Sequence, residues 1–183
     1  MKHTLLRTRL LLLLLLCSWG GVYHLHAQRL IAKTNLLYLC SGTLNAGLEF
    51  RLSRSTTFNL EGQYNPLTFG EKSLKHYALQ PELRVWPSGR PQARWFYGFM
   101  GNLSRKECNL SGTYRFVDSF GGGVSGGYVF VLKERLRLET TLAFGLVMER
   151  GREWETTQPL KCNVKGLKFS PLKAGVTLTY ILK

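Results

Sequence analysis

Side chains that do chemistry are scarce in this chain. Beyond residue 27 it holds one histidine, His76, one aspartate, Asp118, and three cysteines, Cys40, Cys108 and Cys162. A histidine beside a serine such as Ser73 or Ser104 supplies the base and nucleophile of an acyl hydrolase or acyltransferase, the chemistry of barrel enzymes that remodel lipid A. Mechanisms built on two aspartates or two histidines are excluded within one chain. The cysteines form no CxxC pair, and no ligand-spacing motif surrounds His76, so neither redox catalysis nor a zinc site is expected. Gly121, Gly122, Gly123, Gly126 and Gly127 are followed by no helical pattern, which argues against a phosphate-cradling loop. The inventory therefore predicts no catalytic residues, no cofactor and no metal. An exported compartment permits a disulfide, and Cys108 with Cys162 could staple two long loops, but three cysteines cannot all pair within the chain and the sequence leaves open which one stays free.

Export itself is written at the start of the chain. Lys2, Arg7 and Arg9 precede the apolar run Leu10 to Leu16, and a cut after Ala27 divides the chain into a signal peptide, residues 1–27, and a domain of residues 28–183. A lipoprotein reading, with Cys17 lipidated, is weak because Leu16 stands where a small residue belongs. Lys+Arg 25 against Asp+Glu 11 gives a formal net charge of +14, and the excess of bases survives removal of the signal. In an exported protein such charge points to lipopolysaccharide phosphates and anionic envelope lipids rather than to nucleic acid.

The elements that must position these residues alternate with period two. Leu44, Ala46, Leu48, Phe50 and Leu52 share one face while Asn45, Gly47, Glu49 and Arg51 share the other. Leu136, Leu138, Leu142, Phe144, Leu146 and Met148 likewise oppose Arg137, Glu139, Thr141, Ala143 and Gly145. Strand segments are expected at about 29–38, 43–52, 56–65, 76–86, 93–103, 115–131, 135–149 and 171–182. Connectors after the second, fourth and sixth are short; those after the third, fifth and seventh, at about 66–75, 104–114 and 150–170, are longer. No stretch beyond the signal reaches the ~18 apolar residues of a membrane helix, so any passage through a bilayer is by a closed barrel. The expected fold is all-β: an eight-stranded antiparallel up-and-down transmembrane barrel in the bacterial outer membrane.

Polarity distinguishes that barrel from a soluble ligand-binding one. Lys33, Glu49, Arg51, Glu61, Glu82, Arg84, Arg94, Arg137, Glu139 and Lys173 fall on the polar strand faces, where they are expected to form an ion-paired plug inside a narrow lumen. Tyr38, Tyr64, Tyr77, Trp95, Tyr97, Tyr128 and Tyr180 are candidates for interfacial girdles. Pro81 breaks the apolar face of its strand and predicts a bulge or a local loss of pairing. Lys173, Gly175, Leu178 and Tyr180 fit the polar–Gly–hydrophobic–aromatic pattern read by the barrel assembly machinery. Loop charges such as Lys106, Arg105, Arg150 and Lys168 would serve lipopolysaccharide or a surface protein partner.

Specific blocks of sequence support the same place and fold. Lys33 to Tyr38, Asn45 to Glu49, Tyr64-Asn65-Pro66 and His76 to Trp86 resemble the DUF3575 family of functionally uncharacterised proteins from Bacteroidetes. The resemblance implies a small outer-membrane barrel and carries over no catalytic residue.

Overall fold

The computed structural model describes residues 30–69, 72–110, 113–155 and 158–182, with side chains described for 30–66, 75–108, 116–151 and 166–182. The expected signal peptide lies outside them. Eight strands follow in order: β1 (Leu30–Asn35), β2 (Leu44–Arg51), β3 (Thr56–Phe69), β4 (Lys72–Val85), β5 (Arg94–Leu110), β6 (Thr113–Val131), β7 (Leu136–Glu155) and β8 (Gln158–Ile181). A helix of five residues, α1 (Leu36–Cys40), joins β1 to β2. Each strand pairs antiparallel with its successor, and β8 returns to β1 through Ile31↔Ile181 to Asn35↔Thr177. The described strands therefore close an eight-stranded up-and-down barrel; at the hairpin end, among the described residues, β8 before Thr177 and β3 beyond Tyr64 extend past their β1 and β2 neighbours and pair on one side only.

The two ends of the barrel differ. One end carries tight turns, in which Leu52 N–H donates to the Thr56 carbonyl at 3.0 Å and Leu132 N–H to the Leu136 carbonyl at 3.1 Å. At the other end strands run well beyond the expected segments, and the stretches expected as long loops are largely β-hairpin: β5 pairs with β6 out to Leu110↔Thr113. Polar side chains there hid the strands from a reading based on apolar alternation. The expected strand over 29–38 is also shorter, because Leu36-Leu37-Tyr38-Leu39-Cys40 does not alternate. It turns into α1, capped by the Asn35 side chain, which accepts from Leu37 N–H at 3.1 Å.

Three local features set the shape of the wall. Pro81 interrupts the β4–β5 ladder between Leu79↔Leu103 and Glu82↔Met100 without shifting its register, so the interruption is a loss of pairing and not a bulge. A bulge does occur on β8, where Ala143↔Lys173 gives way to Phe144↔Pro171 and both Leu172 and Lys173 turn inward. On β6 and β7, Gly123 lies opposite Gly145, and a Cβ at either position would come within 2.6 Å of the other's Cα. Only glycine permits this approach. Gly145→Ala is expected to lower barrel stability by about 1–3 kcal/mol through overpacking, read as an earlier urea midpoint; an unchanged midpoint would show that the two strands have room to separate.

Candidate functional site

The lumen is filled in layers from the turn end. First comes an apolar plug of Trp86, Phe96 and Val129, with the Trp86 Nε1 donating to Thr57 Oγ1 at 2.9 Å. Above it lies a charged layer. Arg84 stands at its centre, fully buried: Nη2 donates to Glu82 Oε2 at 2.6 Å, and Nη1 to Glu139 Oε2 at 2.9 Å and Glu49 Oε2 at 3.2 Å. Its guanidinium lies 4.3 Å from the centre of the Phe96 ring. Lys33 bridges Glu49 at 2.7 Å and Glu139 at 2.5 Å. Neutral donors reach the second oxygens of two of the carboxylates, Ser125 donating to Glu82 Oε1 at 2.6 Å and Thr141 to Glu139 Oε1 at 2.8 Å, while Glu49 Oε1 is buried without a hydrogen-bond partner among the described residues.

A third layer combines the Lys173–Glu61 pair with a chain of amides. Gln63 donates to Gln80 at 2.8 Å, and Gln80 to Asn102 and to the Leu172 carbonyl, both at 3.0 Å. Tyr38 reaches in from α1 and lines the lumen beside Gln63. Burial, together with the nearby Glu61 carboxylate, raises the pKa of its phenol. Beyond Tyr38, toward the hairpin end, the lumen opens into a cavity of about 350 Å³ whose lining includes His76, Asn102, Ser104, Lys106 and Ser119.

Of the expected ion network, the structure brings together Lys33, Glu49, Glu61, Glu82, Arg84, Glu139 and Lys173. Three arginines stand apart from these ion pairs. Arg94 is exposed, with φ +69°, and Gln92, with φ +67°, takes the buried position beside it. The left-handed backbone at both residues ends the strand parity on which the expectation for Arg94 rested. Arg51 donates to the Ser53 carbonyl of its own turn at 3.0 Å, and Arg137 donates to the Gln92 carbonyl. Both lie near the turns, where a backbone carbonyl is closer than the central carboxylates.

The insertion-pattern residues take alternate faces. Lys173 and Gly175 are buried, the latter against Asn35, while Tyr180 is exposed on the outer face. The Cys108–Cys162 disulfide that the sequence permits does not appear at Cys108, which carries a free thiol; β6 and β7 stand between its strand and β8. The Cys162 side chain lies outside the described residues, as does that of Ser73. His76 faces the lumen cavity, and among the described residues no hydrogen bond joins it to Ser104. Described loop charges are partly paired, Arg105 with Asp118 at 2.6 Å and Lys168 with Glu149 at 2.9 Å.

The middle of the outer surface is apolar. Leu48, Leu83, Phe99, Val124, Leu142 and Leu146 are all exposed, Phe99 to 66%. Aromatic clusters flank this belt. Trp95, Tyr128 and Phe130 touch in series at ring-centre distances of 4.9 and 4.7 Å near the turns, and Tyr64 stacks on Tyr77 at 5.0 Å toward the hairpin end. Tyr38, expected in a girdle, instead turns into the lumen.

A family model described as a protein of unknown function, DUF3575, matches residues 11–182. The chain belongs to the DUF3575 family. The match runs through all eight strands, so the family assignment and the barrel cover the same residues. Comparison of this DUF3575 chain with curated proteins and with solved structures gave no match.

Proposed function

We propose that this DUF3575 barrel resides in the bacterial outer membrane, spanning it, and serves as a non-enzymatic structural or surface-interaction protein. The observation that carries the reading is inverted polarity. Glu49, Glu61, Glu82, Glu139, Lys33, Arg84 and Lys173 are buried while a continuous belt of leucine and aromatic side chains faces outward. In water that belt would be an apolar patch far larger than a monomer ordinarily tolerates; in a bilayer it is the required surface. The flanking aromatic clusters lie where headgroups would meet them. The amino-terminal export signal and the carboxy-terminal insertion pattern give the chain a route there, through the barrel assembly machinery.

Orientation follows from the asymmetry of the ends: tight turns to the periplasm, long hairpins to the cell surface. The charged hairpins are then the part available to lipopolysaccharide or a protein partner. The layered plug opposes a channel role, since Trp86 and the Arg84 layer fill the lumen. A lipid-acyl hydrolase would place His76 beside a serine in a groove reached by lipid, whereas His76 lines the lumen cavity and is not part of the outward groove bordered by Tyr64, Tyr77, Leu103 and Phe120.

Envelope fractionation tests the location. The protein is expected in the outer-membrane fraction and to stay there through high-salt and alkaline carbonate washes. Recovery among the soluble periplasmic contents would overturn the reading.

A further inference from the structure

The cavity at the hairpin end of the lumen has a chemistry that the ion-paired plug does not need. On its β4–β5–β6 wall, His76 lies opposite Lys106 and Ser104 lies opposite Ser119, with Asn102 two residues from Ser104 along β5. Asn102 and Ser119 are more than nine-tenths buried, at 8% and 5% exposure. Among the described residues no hydrogen bond uses the Asn102 Nδ2 or the Ser104 and Ser119 hydroxyls, and none of these atoms is sealed away from the cavity. These groups face the cavity with donors uncommitted to protein acceptors, so a ligand there can take them up. Across from it lie the buried faces of Val147 and Leu172 and the Lys168–Glu149 pair. Since that pair neutralises itself, Lys106 gives the cavity an excess of positive charge.

The geometry points to a binding site for a sugar-sized acid: a free, monosaccharide-sized molecule bearing a phosphate or carboxylate group, with the acidic group on Lys106, Ser104 and Ser119 and its ring toward Val147 and Leu172. The volume of about 350 Å³ is at the lower end of the range for small-ligand pockets. Paired strands β4 to β8 separate the cavity from the apolar outer surface, Tyr38 of α1 with Ser41 and Thr43 borders it on the remaining side, and the ligand enters from the hairpin end. The site does not depend on lipid surrounding the barrel, and its failure would leave the membrane reading intact.

Calorimetric titration of the purified, folded protein with glucose 6-phosphate, glucuronate, glucose and inorganic phosphate tests it. At least one acidic sugar is expected to bind with Kd below about 1 mM. Lys106→Met is expected to weaken that binding roughly tenfold or more, with the paired Ser104→Ala, Ser119→Ala change weakening it independently. Both variants should retain the far-ultraviolet circular dichroism of the folded barrel; if Lys106→Met fails to fold, the paired serine change decides. No binding of either acidic sugar at about 10 mM would overturn the proposal, as would binding that neither variant weakens. Equal affinity for glucose would remove the role of the acidic group, and equal affinity for inorganic phosphate would leave an anion site with no sugar recognition; either result overturns the assignment.

Discussion

Arg84→Met is expected to lower the unfolding free energy of the barrel by about 3–5 kcal/mol, the cost of stranding buried charges by removing one partner. Arg84 is the only side chain that touches Glu49, Glu82 and Glu139 together among the described residues. Without it, Glu49 and Glu139 keep Lys33 as their cationic partner, and Glu82 keeps only neutral donors, Asn59 at 3.2 Å and Ser125 at 2.6 Å. Water cannot readily make up the loss, since Trp86 and Phe96 close the lumen on the turn side and the Gln63–Gln80–Asn102 amides cover it on the other. Urea unfolding of the purified barrel reads the change. Pairing Arg84→Met with Glu82→Gln is expected to restore part of the stability, because the second substitution removes one stranded charge. A single variant as stable as the parent would mean that the central charges are solvated and the plug is not dry.

Leu142→Arg is expected to act from the opposite side of the wall. Leu142 is 58% exposed in the middle of the outer belt, with inward-facing Thr141 and Ala143 on either side. An arginine near the midplane of a bilayer costs about 2–4 kcal/mol on a barrel exterior, and only about 0–1 near its edges. The variant is therefore expected to assemble poorly into membranes, while Leu44→Arg, near the hairpin-end boundary, assembles almost normally. Quantifying folded protein in the outer-membrane fraction for both variants checks the gradient. In a soluble barrel the sign reverses: Leu142→Arg would break up an apolar patch and improve solubility, so equal or better recovery of that variant contradicts the account.

Most of the wall was legible in the sequence because a barrel strand repeats one simple rule, alternate residues facing opposite sides, and residues such as Leu142 and Thr141 obey it without exception in the structure. The same rule identified the buried charges on β1, β2, β3, β4, β7 and β8. It failed wherever the backbone left the extended conformation. At Gln92 and Arg94 positive φ values moved the arginine out and the amide in, and at Leu172 the bulge placed two successive residues inside. Charge type alone also gave no means of separating Arg84, which reaches three carboxylates, from Arg51 and Arg137, which find carbonyls of nearby turns. The hairpin-end cavity was invisible for a different reason. Its wall assembles His76, Asn102, Ser104, Lys106 and Ser119 from three strands, and only the register of β4, β5 and β6 brings them together.

Heat-modifiability in detergent gels tests most directly the central claim, that this closed barrel is built inside out for a membrane. Protein extracted from envelope membranes and left unboiled is expected to migrate faster than the boiled sample, because a barrel with every strand paired and a dry ion-paired lumen resists sodium dodecyl sulfate. Identical mobility before and after boiling, with the protein recovered in the soluble periplasm, would contradict it.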